Sequence, residues 1–298
     1  MYQKYSHHSG SSPDFWEENW EAAHFESSVR FCLVDPLRAL FEKYLNPASL
    51  VLEGGCGIGH YMAYYSARGH RMIGLDFARE ALNILHARQP HLSLGCGDVS
   101  NLPFADETFD MYYSGGVVEH FEGGAESSLL EAHRVLKNDG TLLISVPYHS
   151  PLRSILAPFK KNEWRQIAGS NTDKGDMPEG TQFFQYAYRR KEFEKMLAKA
   201  GLRVIEAKGY AVTWGLYDIP FLNPGRKGEF QAAAVEKRER KEISAIDISG
   251  LIEEKPVSIL KRLAVVEDDT IPVLGLGVKL ARWTSANMMM YVCKKVLR

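Results

Sequence analysis

Apolar and polar positions alternate along the first half of the chain in a way that predicts short strands separated by helices. Five apolar runs of strand length occur at residues 51–53, 71–76, 91–96, 111–114 and 141–146. Segments with the helical period lie between them, at residues 61–68, 78–88 and 129–136. Strands that alternate with helices favour an α/β fold built on a mostly parallel sheet.

The second half interrupts this alternation. A helix at 189–200 leads into a sixth strand at 202–207, and a seventh apolar run occupies 287–293. Two further segments, 150–185 and 208–286, exceed what a minimal α/β domain needs. Long irregular insertions in compact domains are usually functional or disordered, and we expect these two to form a lid.

The segment before the first strand divides into a tail and two helices. Residues 1–13 are polar with interspersed aromatic and histidine side chains, and we expect a loose end, with a role over a ligand left open. From residue 14 the pattern is helical. Asp35-Pro36 has the form of an N-cap followed by proline, which predicts a second helix through residue 45.

A carboxylate and three glycines at alternate positions follow the first strand, in the order Glu53-Gly54-Gly55-Cys56-Gly57-Ile58-Gly59. Glycine tolerates positive φ and lets the backbone approach a ligand where a Cβ would collide. The helix after the turn directs its free amide groups toward the same place. The pattern, with Cys56 inside the turn, indicates a nucleotide or nucleoside pocket.

Candidate ligand-binding residues also follow the next three strands. Asp76 ends the second strand, where a carboxylate can accept both hydroxyls of a ribose, and Phe77 comes next. Asp98 and Val99 follow the third strand, and Ser114 ends the fourth. Ligands of open parallel sheets lie beyond the carboxyl ends of the strands, so these residues are expected to line one pocket.

The glycine spacing separates two families of cofactor site. The dinucleotide fingerprint G-x-G-x-x-G would require glycine at His60 or at Met62. The observed Glu-x-Gly-x-Gly-x-Gly instead resembles motif I of the class I S-adenosylmethionine-dependent methyltransferases. The runs at 102–110 and 134–147 are similar to that family as well.

The resemblance implies a doubly wound, seven-stranded sheet of the Rossmann-like methyltransferase fold, with the last strand antiparallel between the fifth and sixth. It implies S-adenosylmethionine as the cofactor and a small-molecule or lipid-like acceptor, methylated at oxygen. It places Glu53 near the methionine part of the cofactor and the glycine turn under its sugar and amino-acid parts. Asp98 would accept the adenine amino group, and the Val99 amide would meet a ring nitrogen.

Two histidines are candidate general bases. His120 follows the fourth strand and His149 follows the fifth, so both are expected to face the transferable methyl group. Histidine titrates near neutrality and can take a proton from a hydroxyl acceptor. We favour His120, because it is tied directly to the sheet while His149 begins an insertion. The alternative is that these side chains only orient their loops.

The strand-four segment resembles the O-methyltransferases of ubiquinone biosynthesis, which carry Glu-x-x-Glu-His and whose paired carboxylates have been linked to a divalent ion. Here the segment reads Gly116-Val117-Val118-Glu119-His120, so the first carboxylate is missing. A hard cation needs several oxygen ligands. The sequence therefore predicts no metal site.

Composition excludes several other classes. A net charge of -1 gives no basic field for nucleic acid, which favours a small-molecule partner. Four scattered cysteines without a C-x-x-C pair argue against zinc or disulfides and for a reducing compartment. No 18-residue apolar run or signal segment is present, so we expect a cytoplasmic protein. The basic amphipathic stretch at 256–284 fits either a membrane interface or packing on the sheet.

We therefore predict residues 1–46 as a tail and helices covering the cofactor, and 47–298 as a methyltransferase domain with the two insertions. A nicotinamide-dependent oxidoreductase would share the fold but lacks the glycine spacing. A cofactor-binding module without catalysis would share the pocket. Both alternatives remain open at this point.

Overall fold

The computed structural model describes residues 1–6, 16, 25–157, 165–166, 182–219, 222 and 244–296. The helix predicted from residue 14 lies outside these residues apart from Trp16. A charge-mixed helix predicted at 229–242 and the loose run at 169–180 also lie outside them.

This part of the chain forms ten strands. They are β1 (Tyr2–Ser6), β2 (Leu50–Gly54), β3 (Arg71–Asp76), β4 (Ser93–Cys96), β5 (Phe109–Gly115), β6 (Leu136–Pro147), β7 (Arg165–Gln166), β8 (Gln182–Ala187), β9 (Leu202–Tyr210) and β10 (Met288–Lys295).

The same residues form ten α-helices. They are α1 (Phe25–Phe31), α2 (Arg38–Tyr44), α3 (His60–Ala67), α4 (Arg79–Arg88), α5 (Glu126–Val135), α6 (Pro151–Leu156), α7 (Arg190–Lys199), α8 (Val212–Leu216), α9 (Ile259–Ala264) and α10 (Leu274–Ser285). Short 3-10 helices occur at Cys32–Val34, Val118–His120 and Ser249–Leu251.

Seven of the strands form the main sheet, in the order β4-β3-β2-β5-β6-β10-β9. Strands β2 to β6 pair in parallel. Strand β10 lies antiparallel between β6 and β9. The order reverses at β2, so the sheet is doubly wound, and the predicted fold class is confirmed.

Helices cover both faces of this sheet because consecutive strand residues point to opposite sides. Leu52 and Tyr112 pack into a core with Leu129 of α5. Val51 packs into a second core on the other face with Phe41 of α2. Strands buried on both faces read as continuous apolar runs, and this property made them recognisable in the sequence.

A bulge lies at the start of β6. Leu136 pairs with Phe109 while Thr141 pairs with Met111, so residues 137–140 protrude from the ladder. The Lys-Asn-Asp-Gly segment was predicted to be a turn before the strand, but it lies within the strand, which begins at Leu136. Extra residues on one strand cannot all pair with the partner, and they form a bulge.

The helix predicted to follow Asp35-Pro36 begins later than expected, and its N-cap residue is Leu37 instead of Asp35. The Asp35 carboxylate accepts the Leu37 amide hydrogen at 2.6 Å and also receives the Tyr61 hydroxyl. This buried carboxylate therefore holds a turn ahead of α2 and ties it to α3, so the α-helix starts at Arg38.

The prediction of a loose N-terminal end is wrong for residues 1–6. Strand β1 is the middle strand of a small antiparallel sheet with the order β7-β1-β8. Tyr2 pairs with Ala187 and Gln3 with Tyr186, and the Gln3 side chain donates to the Tyr186 hydroxyl at 3.2 Å. The insertion at 150–185 supplies β7 and most of β8, so both strands that pair with β1 come from a distant part of the sequence.

Two tyrosines on neighbouring strands generate a stability prediction. Tyr291 of β10 is fully buried, and its hydroxyl has no hydrogen-bond partner in the described chain. Tyr210 of β9 donates its hydroxyl to the Ser145 hydroxyl at 3.0 Å. Tyr291→Phe should raise the free energy of unfolding by about 1 kcal/mol, and Tyr210→Phe should lower it by about 1 kcal/mol. Urea unfolding measures both, and a destabilised Tyr291→Phe would contradict the assignment of an unpaired hydroxyl.

Candidate active site

The glycine turn joins β2 to α3 in a left-handed backbone conformation. Gly55, Gly57 and Gly59 have φ angles of 76°, 51° and 65°. The amides of Gly55 and Cys56 both donate to the Leu75 carbonyl of the neighbouring strand, at 2.7 and 3.1 Å. A side chain would be strained at each glycine, because only glycine adopts positive φ without cost. The turn expected from the sequence is present.

Two of these glycines are also fixed by close packing. A Cβ on Gly55 would collide with the Val117 side chain, and one on Gly59 would collide with Leu85. The turn therefore packs against Val117, in the segment that follows β5, on one side and against α4 on the other. This packing sets its position relative to the end of β5.

Glu53 stands on β2 two residues before this turn. Its side chain is 4% exposed, and its Oε2 atom has no hydrogen-bond partner in the described chain. Burial raises its pKa to about 8, and repulsion from Asp76 acts in the same direction. A buried carboxylate oxygen without a partner is rare in proteins. The Glu53 side chain therefore has an unsatisfied hydrogen-bond acceptor, to which a cationic or hydrogen-donating ligand group can bind.

Asp76 lies at the end of β3, beside the turn. Its Oδ2 accepts the Gly57 amide at 2.7 Å, and its Oδ1 accepts the Ala78 amide at 2.9 Å. Burial raises its pKa, while these amide hydrogen bonds oppose the change. Each carboxylate oxygen has two acceptor sites, so one per oxygen remains for a ligand. Asp76 thus fixes the turn, and its predicted contact with a ligand stays a prediction.

The other predicted cofactor residues lie around these two carboxylates with different surroundings. Cys56 and Val99 are buried, while Phe77 is exposed. Asp98 is exposed, and its carboxylate accepts the Ser100 amide at 2.8 Å. The Ser114 hydroxyl donates to the Gly54 carbonyl at 3.0 Å. Ser114 therefore holds β2 to β5 in this structure.

His120 ends the 3-10 helix that follows β5. Its Nδ1 atom lies 2.7 Å from the Phe184 carbonyl oxygen of β8, and its ring meets the Trp16 ring edge-on at 4.8 Å. A carbonyl only accepts, so Nδ1 carries the proton in the neutral ring and Nε2 keeps its lone pair. Burial lowers its pKa to about 4, so the ring is neutral at physiological pH.

Glu119 accompanies this histidine. It is buried, its Oε1 lies 4.0 Å from His120 Nε2, and its Oε2 has no partner in the described chain. Burial raises its pKa to about 8. A neutral histidine and a carboxyl group that is mostly protonated at neutral pH therefore stand together at the end of β5.

His149 lies beyond the end of β6 and is covered by the small sheet. Its ring stacks on the Tyr2 ring with centroids 3.5 Å apart, and neither ring nitrogen has a partner in the described chain. Burial lowers its pKa to about 4, and the cationic groups of Arg153 and Arg189 add to this effect. Both histidines contact the small sheet, His120 through the Phe184 carbonyl and His149 through the Tyr2 ring, and the expectation that His149 moves with a lid stays a prediction.

Sequence reasoning missed the residues that the small sheet brings to the site. Tyr2 covers His149, and the backbone carbonyl of Phe184 sets the tautomer of His120. His60 was missed as well, although it follows Gly59 directly. Its buried Nδ1 has no partner among the described residues, and burial lowers its pKa to about 4. A backbone carbonyl leaves no trace in a sequence, whereas the place of His60 beside the glycine motif was a usable signal.

The described residues contain no group of three or more histidine, cysteine or acidic side chains that could hold a metal ion. Glu119 and His120 therefore lack the additional oxygen ligands of a hard-cation site. The expectation that the site works without a metal stays a prediction.

Comparison with known proteins agrees with this geometry. Residues 52–144 match the family model described as a methyltransferase domain. Over 133 residues the chain is 26% identical to malonyl-[acyl-carrier protein] O-methyltransferase of Serratia marcescens, covering 45% of this chain and 50% of that protein. Over 117 residues it is 33% identical to a candidate S-adenosylmethionine-dependent methyltransferase of Mycolicibacterium smegmatis, covering 38% and 45%. The chain spans about half the length of these relatives.

Solved structures support the fold. A chain in the complex between the Haloferax volcanii Trm112 methyltransferase activator and a candidate methyltransferase superposes with a TM-score of 0.53, at 18% identity over 96% of both chains. A candidate methyltransferase of Bacillus halodurans gives a TM-score of 0.50 at 18% identity, over 88% of this chain and 99% of that one. The sheet is that of the Rossmann-like methyltransferases. The match at residues 52–144 identifies a methyltransferase domain within the chain.

Replacing Asp76 tests the cofactor pocket. Asp76→Ala should weaken S-adenosylmethionine binding by about 2 to 4 kcal/mol, because charge-assisted hydrogen bonds to the ribose are lost. Folding stability should fall too, because the Gly57 and Ala78 amides lose their acceptor. Calorimetric titration measures the affinity.

Asp110 provides the matched control for that titration. Its carboxylate accepts the Leu50 amide at 2.8 Å and the Lys137 ammonium at 2.7 Å, at the opposite end of the strands. Asp110→Ala should lower stability but leave cofactor affinity unchanged. Equal cofactor affinities for the two variants would mean that β3 does not end at the ribose.

The raised pKa of Glu53 predicts a pH dependence of stability. Between about pH 4.5 and pH 8 the folded state keeps a proton that the unfolded state has lost, so stability falls as pH rises. In Glu53→Gln the side chain has no proton to release on unfolding, so this pH dependence disappears. The free energy of unfolding of this variant relative to the wild type should therefore rise by up to about 1.4 kcal/mol per pH unit across that window.

Urea unfolding of the ligand-free protein at several pH values between 5 and 8 measures the Glu53 effect. Glu126→Gln, at an exposed position on α5, is the control and should show no such trend. A constant difference between Glu53→Gln and the wild type would show that Glu53 is ionised in the folded state across this range.

Proposed function

We propose that this protein transfers the methyl group of S-adenosylmethionine to an oxygen atom of a small-molecule acceptor, with His120 as the general base. The observation that carries the proposal is that the glycine turn contacts the segment after β5, which contains His120. The turn packs on Val117, three residues before His120. A cofactor held by the turn would therefore lie next to a histidine whose Nε2 makes no hydrogen bond within the described chain.

The residues around the turn fit the parts of this cofactor. Asp76 would bind the ribose hydroxyls, and Asp98 with the Val99 amide would meet the adenine. Glu53 has an unpartnered buried oxygen, which suits the cationic amino group of the methionine part. When bound, S-adenosylmethionine supplies a methyl group on a sulfonium, which is already a good leaving group. The protein then contributes mainly by holding the acceptor in line, the usual gain from orientation.

His120 suits the base role better than His149. Its Nδ1 is committed to the Phe184 carbonyl, so Nε2 faces Glu119 with its lone pair available. The proton taken from an acceptor hydroxyl would create an imidazolium beside Glu119. His149 is instead stacked against the Tyr2 ring, and burial together with the cationic groups of Arg153 and Arg189 lowers the pKa of its ring.

Two observations bear on the acceptor. The malonyl-[acyl-carrier protein] relatives are named O-methyltransferases, which supports oxygen as the receiving atom. The small sheet covers the ends of β5 and β6 with aromatic side chains, including Tyr2 and Phe184. Such a covering suits a compact organic acceptor, and the net charge of -1 offers no field for nucleic acid.

Transfer of a labelled methyl group tests the proposal. The purified protein is incubated with methyl-labelled S-adenosylmethionine and a small-molecule cell extract, and labelled products are identified by mass spectrometry. We expect a labelled methyl ether or ester. Cofactor binding without any product would favour a binding module. A melting temperature raised by a nicotinamide cofactor but not by S-adenosylmethionine would favour the oxidoreductase.

The variant His120→Ala tests the base. With a hydroxyl acceptor, kcat should fall by roughly 100-fold at neutral pH with cofactor affinity unchanged, the scale of losing a general base. The defect should shrink as pH approaches the pKa of the acceptor, because an ionised acceptor needs no base. A carboxylic acid acceptor is already ionised and should show little defect.

The pH profile of the wild type gives an internal check on the same assignment. Since burial lowers the pKa of His120 to about 4, its ring stays neutral down to that pH, and protonation of this ring should not reduce kcat between pH 8 and pH 6. His149→Ala is the comparison and should retain more activity. A rate loss in His120→Ala that does not change with pH would indicate orientation of the loop instead of proton transfer.

A further inference from the structure

The outer surface of helix α10 is apolar, although it faces away from the protein. Leu276, Leu280 and Trp283 follow the i, i+4, i+7 spacing of one helix face, and each is between 59% and 75% exposed. Lys279 is the one charged side chain of the helix on its exposed side. An apolar helix face normally packs against another layer.

The inner face of α10 is locked, so the helix cannot turn these side chains inward. Gly275, Val278, Arg282 and Ser285 are its buried residues. A Cβ on Gly275 would collide with the Asp269 carbonyl. Arg282 is buried and donates to the Glu267 carbonyl and to the Asp269 carboxylate. The exposed apolar face is therefore a fixed feature of the fold.

Neighbouring residues extend this surface. Leu260 of helix α9, which packs on α10, is 76% exposed. Val273 precedes α10 with φ of 65°, a strained conformation for a β-branched residue, and its side chain is 90% exposed. We call the five residues Leu260, Val273, Leu276, Leu280 and Trp283 the apolar face. Contiguous exposed apolar patches of this kind mark interaction or membrane surfaces.

The charges around the apolar face are biased toward cations. Asp268 pairs with Arg262, while Glu267 and Asp269 pair with Arg282. Within the described chain, Lys261 and Lys279 take part in no ion pair. The acidic side chains of this region are thus neutralised locally, and two lysines remain to meet an anionic surface.

We propose that the apolar face docks this protein on a lipid bilayer that carries anionic headgroups. Leucine and tryptophan side chains that project from helices, with lysines between them, suit the boundary between headgroups and acyl chains. Lipid adapts to side chains that project singly, whereas a protein partner would need a matching groove. Among the described residues no helix is long and apolar enough to cross a bilayer.

Vesicle flotation of the full chain tests the proposal. The protein should bind vesicles of equal parts phosphatidylcholine and phosphatidylglycerol at least tenfold more tightly than vesicles of phosphatidylcholine alone. Leu280→Glu and Trp283→Glu should each reduce binding more than tenfold. Lys261→Gln and Lys279→Gln should each reduce it roughly fivefold, the effect of one lysine near an anionic membrane.

Leu130→Glu is the matched control, because Leu130 is 51% exposed on α5 and lies outside the apolar face. It should bind vesicles like the wild type, and every variant should keep its melting temperature and S-adenosylmethionine affinity. No flotation of the wild type, or equal flotation of Leu280→Glu, would overturn the proposal. The proposal would also be overturned if light scattering showed that the wild type is a dimer and that Leu280→Glu is a monomer. A second copy of the chain would then cover this face. Neither outcome depends on methyl transfer.

Discussion

The pair of hydrogen bonds accepted by the Asp76 carboxylate holds the site together. One oxygen binds the Gly57 amide in the turn after β2, and the other binds the Ala78 amide before α4. The carboxylate thereby joins the ends of two parallel strands and fixes the left-handed turn between them. A residue predicted to bind a ligand therefore also holds the turn in place.

The sequence was sufficient to predict the main sheet, for an identifiable physical reason. Strands buried on both faces, such as β2 with Val51 and Leu52, read as apolar runs, and the helices between them keep the 3.6-residue period. The glycine turn could also be predicted from the sequence, because positive φ at Gly55, Gly57 and Gly59 restricts the residue type. Local backbone constraints and periodic burial are properties that a sequence records directly.

The parts that were not predicted depend on contacts between distant segments. Strand β1 pairs with β8 across more than 170 residues, and nothing in the polar run at the N-terminus specifies that partner. The surroundings of His120 and His149 depend on this pairing, through the Phe184 carbonyl and the Tyr2 ring. The sequence of α10 showed an amphipathic pattern, but it did not predict that the apolar side chains point outward. Periodicity alone does not tell which face of a helix packs inward.

The antiparallel insertion of β10 has a consequence for the order in which this chain assembles during synthesis. Among the described strands, β9 has β10 as its one neighbour in the main sheet, so it gains that hydrogen-bonded partner only after residues 211–287 have been made. The five parallel strands from β2 to β6 can meet earlier, while the edge of β6 that will receive β10 stays unpaired. An unpaired strand edge is an aggregation risk. A nascent chain stalled anywhere between β9 and β10 would expose that edge, which makes this interval the one where chaperone binding on the ribosome matters most.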